Sequence, residues 1–158
     1  MTLEENKAVI LRLYEAINTK DLSSLEDFMA SDYVDHTRKI KGREVLRQFG
    51  IMLFNAFLDF HETVDDIIAE GDKVWVRTTI TATHQGEYRG VAPTGNTFTE
   101  SSIDIFRIIN GKIVEGWNIQ DELDFLKKLG VINYKGFPDE VTKLQIKGLK
   151  RDNQEVNS

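Results

Sequence analysis

The sequence predicts an α+β domain: a curved antiparallel sheet wrapped around N-terminal helices, a cone with an internal pocket. Two observations predict it. Up to Ala56, apolar residues recur at helical spacing; from Phe60 to Ile119 they alternate with a period of two. Helices grouped before strands argue against a parallel sheet built from alternating strands and helices. Strands this long must curve to stay packed, and a curved sheet closed over a helix layer leaves a conical hollow.

A chain of 158 residues favours one domain with a real core. The cone is expected over 1–132, followed by a polar C-terminal extension over 133–158. Hydrophobic residues make up 41% and charged residues 29%, an ordinary globular balance. The net charge of −6 argues against nucleic acid as a partner, because counterion replacement needs a basic face. No apolar run approaches the roughly 18–20 residues of a membrane span, so no membrane contact is expected. The acidic start MTLEENKAV does not resemble a signal peptide, and a cytoplasmic location is the simplest reading. Without cysteine there is no disulfide, thiolate nucleophile or thiolate-bound zinc.

Each element has a local cause. Thr2 and Glu5 form a capping box, and Ile10, Leu13, Tyr14 and Ile17 make one apolar helical face. Asp21 can cap a second short helix with Leu22, Leu25, Phe28 and Met29 inward. Tyr33–His36 is a short extended piece. A third helix follows Gly42, with Val45, Phe49, Met52, Leu53 and Ala56 on one side. Four long strands come next, over 60–69, 73–84, 97–109 and 112–119. Glu70-Gly71-Asp72 is a tight turn, Gln85–Asn96 a wide hairpin, and Asn110-Gly111 a type I′ hairpin signal. Asp121 opens a last helix that Gly130 stops. Beyond Val131 the composition thins, consistent with an amphipathic helix and a frayed tail.

Several ordered motifs carry a resemblance: the run 5–36, then IIAEGDKVWVR, THQGEYRGVAPTGNTF, and IDIFRIINGKIVEGWNIQDELDFLKKLG. Together, over about residues 5–130, the chain resembles the SnoaL-like polyketide cyclases (ester cyclases), which have the nuclear transport factor 2-like fold. The resemblance implies a pocketed cone, a homodimer formed through the sheet, and chemistry without cofactor or metal. It implies intramolecular aldol closure of a polyketide ester. An aspartate just after the final strand is implied as the acid–base group, and Asp121 matches that position. The expected ligand is a hydrophobic small molecule. Isomerisation of a carbonyl compound, a non-catalytic binding or association module, and a hydrolase using a pocket-bound water are the other readings this scaffold allows.

The candidate residues have competing explanations. Asp121 shares strand parity with Trp117 and Ile119 and could be desolvated at a cavity mouth; it could equally be an N-cap. Asp104, flanked by Ile103 and Ile105, resembles the protonated oxyanion-hole aspartate that serves as a general example of pKa tuning in ketosteroid isomerase. Its alternative is a cross-strand ion pair with Arg77 or another basic residue. Alternation lets only one of Asp35 and His36 face inward, and the resemblance favours His36 as a proton shuttle. His84 shares the face of Val74, Val76 and Ile80 and reads as a wall residue. Tyr14, Tyr33, Trp117, Phe54 and Phe106 are candidate pocket lining, against core packing as the default. His61, with acidic Glu62, Asp65 and Asp66 nearby, reads as surface. His36, His84 and Asp121 match no metal-ligand spacing.

Overall fold

Apolar spacing and capping place the helices where the sequence puts them. The computed structural model describes residues 1–133; apart from Asn133, the extension expected over 133–158 lies outside the described residues. Helix α1 (Leu3–Thr19) starts at the Thr2/Glu5 capping box and buries Val9, Ile10, Leu13 and Tyr14. A 3₁₀ turn (Leu22–Ser24) leads into the single turn α2 (Leu25–Phe28). The Asp21 side chain accepts from the Ser23 hydroxyl and does not cap the turn. Helix α3 spans Arg43–Ala56. It buries Gly50, Phe54 and Ala56, while Val45 and Met52 of the expected inner face are 50% and 40% exposed. Leu22 packs directly on Gly50, where any side chain would be crowded.

The strands are β1 (Met29–Asp35), β2 (Ile40–Lys41), β3 (His61–Glu70), β4 (Lys73–Thr83), β5 (Thr97–Ile109) and β6 (Lys112–Gln120). They form one sheet in the order β2-β1-β6-β5-β4-β3. Neighbours are antiparallel except β1 and β6, which run parallel. The extended piece at Tyr33 therefore belongs to the sheet, which is mixed at that one join. Helix α4 (Glu122–Lys128) closes the described chain.

One sheet face packs on the helices, and the core there divides in two. Val9, Ile10, Leu13, Val74, Val76 and Ile113 fill one end. The other end is aromatic: Phe57 contacts Tyr88 and Phe98 edge-on, with ring centroids 5.0 and 5.5 Å away, and Phe98 meets Phe125 at 5.1 Å. Between the two lies a cavity of about 960 Å³. The opposite face leaves Ile68, Trp75, Ile103 and Ile119 exposed. Among the described residues no helix is long and apolar enough to cross a membrane.

Candidate active site

The cavity floor is the inner sheet face, and the strand register puts a band of polar side chains across it. Asp104 on β5 sits opposite Asn118 on β6; Ser102 sits opposite Thr78 on β4. Glu62 on β3 reaches Thr78, whose hydroxyl donates to Glu62 Oε1 at 2.7 Å. All five side chains are buried.

Asp104 is the hub of the band. Tyr14 from α1 donates its hydroxyl to Asp104 Oδ2 at 3.0 Å. Ser102 donates to the same oxygen at 3.3 Å. Asn118 Nδ2 donates to Oδ1 at 2.8 Å and to Ser102 Oγ at 2.7 Å. Burial pushes the Asp104 carboxyl above the usual range; the hydrogen bonds from Asn118, Tyr14 and Ser102 and the charge of Arg38 work against that shift. Burial also drives Glu62 up to about 7, and the Asp104 charge adds to the effect. Burial and the two carboxylates raise the Tyr14 phenol, so it remains a hydrogen-bond donor.

The second polar group comes from the turn after β1. Asp35 is 2% exposed. Its Oδ1 accepts the backbone N–H groups of Thr37 and Arg38 at 3.0 and 2.8 Å, and its Oδ2 accepts from Arg38 Nη1 at 2.8 Å. The expected orientation is thus reversed: Asp35 faces inward and His36 outward. His36 Nε2 lies 3.0 Å from Glu115 on the outer face, and its ring stacks on Trp117 at 4.7 Å. Asp35 finds its backbone donors and its guanidinium partner in this inward orientation.

Trp117 and Asp121 also fall outside the cavity lining. Counting in twos from the buried Ile113 would send both inward. A bulge prevents it: Ile108 pairs with Ile113, yet Arg107 pairs with Glu115, so β6 carries one extra residue. Parity flips there, and Gly116 and Asn118 take the inner positions. Asp121 is exposed and caps α4, accepting from the Asp124 backbone N–H at 3.0 Å. His84 is fully buried, with Nδ1 3.1 Å from the Thr94 hydroxyl and its ring 5.5 Å from Phe57. It stands behind the lining.

Tyr14, Tyr33, Phe54, Phe106 and Asp104 do line the cavity. Tyr33 fits against β6 because position 116 is glycine; a Cβ there would lie 2.2 Å from the Tyr33 hydroxyl oxygen. Arg77, the alternative partner of Asp104, pairs instead with Asp65 and Asp66 on the outer side. The sequence reading missed Arg38, Asn118 and Glu62. For Glu62, alternation with buried Phe60 was the available signal, masked by its acidic neighbours. Among the described residues, no group of three His, Asp or Glu side chains is placed to hold a metal ion.

The sequence profile of the SnoaL-like polyketide cyclases matches residues 7–129, most of the chain. The chain belongs to this family. Among curated SnoaL-like relatives, the aklanonic acid methyl ester cyclase DauD of Streptomyces sp. (strain C5) is 26% identical over 129 residues, covering 77% of this chain and 80% of DauD. AclR of Streptomyces galilaeus, a candidate hydroxylase, superposes with a TM-score of 0.75 at 32% identity, over 84% of this chain and all of AclR. IdmH of Streptomyces antibioticus, a candidate polyketide cyclase, gives 0.68 at 34% identity, over 79% of this chain and 98% of IdmH. The SnoaL-like cone, with its nuclear transport factor 2-like fold, is therefore the architecture that holds the polar band.

Proposed function

We propose that this SnoaL-like protein catalyses cofactor-independent proton transfer on a carbonyl compound, most simply an intramolecular aldol closure of a polyketide-type ester. One observation carries the reading: a buried carboxylate, Asp104, held by three side-chain donors on the floor of a large cavity. Burial makes it a stronger base than a solvated aspartate, and the fixed donors hold its geometry. Asp104 takes a proton from a carbon α to a carbonyl. The resulting enolate attacks a second carbonyl, and the same proton returns to the alkoxide. Tyr14, Ser102 and Asn118 orient the base. Tyr33, Phe54 and Phe106 supply apolar and aromatic contact for the ligand body. Asp121 is left with its capping role, and His36 with a place on the outer face.

Two further parts of the proposal concern assembly and place. The exposed apolar residues of the outer sheet face support a homodimer formed through the sheet. A cytoplasmic location, away from nucleic acid and membranes, fits the acidic composition.

The relatives' names make methyl esters of polyketide acids the first test panel. Asp104→Asn is expected to lower ring closure by about 100-fold or more, with the thermal melt retained. Asp121→Asn is expected to leave turnover close to wild type. Full activity in the Asp104→Asn protein would sink the base assignment; ligand binding without any turnover in the wild-type protein would favour a receptor over an enzyme.

A further inference from the structure

The reaction just described needs something it has not yet been given. When a proton leaves the α carbon, the electron pair moves onto the carbonyl oxygen. That oxyanion would sit in a cavity that already contains Asp104 and Glu62, and a buried charge without a partner is costly. Tyr14, Ser102 and Asn118 cannot neutralise it, since all three already donate to Asp104.

Arg38 lines the same cavity. Only its Nη1 is engaged, by Asp35; among the described residues its Nε and Nη2 have no hydrogen-bond acceptor. Asp35 fixes both the backbone and the side chain of this turn, so the guanidinium is held in place rather than tethered loosely. The Phe49 ring lies 5.6 Å from its Cζ and covers one side. Its charge reaches Tyr14, Tyr33, Glu62 and Asp104, groups on α1, β1, β3 and β5. The other cations of the lining are less suited. The Arg38 side chain is 34% exposed; Arg89, at 57%, is more open and is bridged to Glu122, and Lys39 is exposed and has no carboxylate partner among the described residues. A guanidinium stays charged under all working conditions and offers donors in a rigid plane.

We propose that Arg38 is the oxyanion-binding residue of this site: its unengaged N–H groups bind the substrate carbonyl oxygen and hold the enolate that forms as the α-proton passes to Asp104. The balance is simple. A C–H bond breaks, its proton goes to the Asp104 carboxylate, and its electron pair becomes the enolate held by Arg38. No oxidant or reductant takes part. The inference rests on the reading of Asp104 as the base, and its test is built to be independent of that reading.

The probe is 2-naphthol, whose ionised form places an oxyanion on an apolar ring system and whose absorbance and fluorescence report ionisation. It is titrated bound to the Asp104→Asn protein, where a neutral amide stands in for the base after it has taken its proton. Bound naphthol is expected to ionise at least about one pH unit lower than in water, a tenfold shift in the equilibrium. Adding Arg38→Gln abolishes the shift. Adding Arg38→Lys, which keeps a cationic partner for Asp35 and so guards against misfolding, reduces it. Arg89→Gln leaves it intact. In otherwise wild-type protein, Arg38→Gln lowers turnover by about 100-fold. Failure of naphthol to bind, bound naphthol without a shift, or a shift that survives both Arg38 substitutions overturns the proposal. No proton moves to or from carbon in this titration. Turnover that ignores Asp104→Asn would therefore remove the base and leave the oxyanion site standing.

Discussion

At the scale of the residue, two aspartates show how surroundings decide chemistry. Asp121 meets solvent and one backbone N–H; Asp104 meets three side-chain donors in a buried band. Both positions stand out in the sequence, but only burial separates them. Glu62 gives the sharpest pH test. Its folded value of about 7 lies above the ordinary 4.5, so the unfolded chain releases this proton first as pH rises. Its stabilising contribution is fully present below about 4.5, and it is lost as pH climbs through about 7. The loss amounts to about 3 kcal/mol. Glu62→Gln should flatten that part of the stability profile, as read by urea unfolding across the same pH range. Equal pH dependence in both proteins would show that Glu62 titrates as an ordinary surface group.

At the scale of the element, what was legible depended on whether alternation ran unbroken. Strands β4 and β5 pair residue for residue from Lys73 to Thr83, and their inner faces are those the sequence indicated. Strand β6 could not be read that way, because a bulge near Val114 leaves no composition signal and reverses every side chain beyond it. The turn after β1 was obscured for another reason: Asp35 turns inward to satisfy partners that sequence spacing alone does not reveal. The wide hairpin between β4 and β5 depends on one close approach. Gln85 and Gly86 both donate their backbone N–H to the Ala56 carbonyl at the end of α3, which docks the hairpin there. A Cβ on Gly86 would lie 2.3 Å from the Asn55 carbonyl oxygen, a backbone atom that cannot step aside. Gly86→Ala is therefore expected to cost about 1–3 kcal/mol, visible as a lower urea midpoint. An unchanged midpoint would mean that this docking is dispensable.

At the scale of the whole molecule, the sheet presents two unlike faces. The inner face carries the polar band, and the outer face carries Ile68, Trp75, Ile103 and Ile119. If two copies join through that outer face, sedimentation of the wild-type chain should report a dimer. Placing charge at its centre, with Trp75→Glu and Ile103→Glu together, should give a monomer that keeps its far-UV spectrum. A wild-type monomer at micromolar concentration would remove the association proposal. The family and the cone were legible from ordered motifs and grouped periodicities, and so was the inward face of β5 with Asp104; the placement of Trp117 and Asp121 was not, because one residue of strand phase decides which side chains of β6 the cavity sees.

That phase behaves like a reading frame. β6 is read in one frame through Ile113 and in the other from Gly116 onward. A frame tolerates spelling changes and fails on a lost letter. Substitutions along β6 alter single side chains, whereas removing one residue at the bulge would exchange everything the strand's second half shows to each side. Trp117 would enter the hollow and Asn118 would leave it, with no substitution at either position.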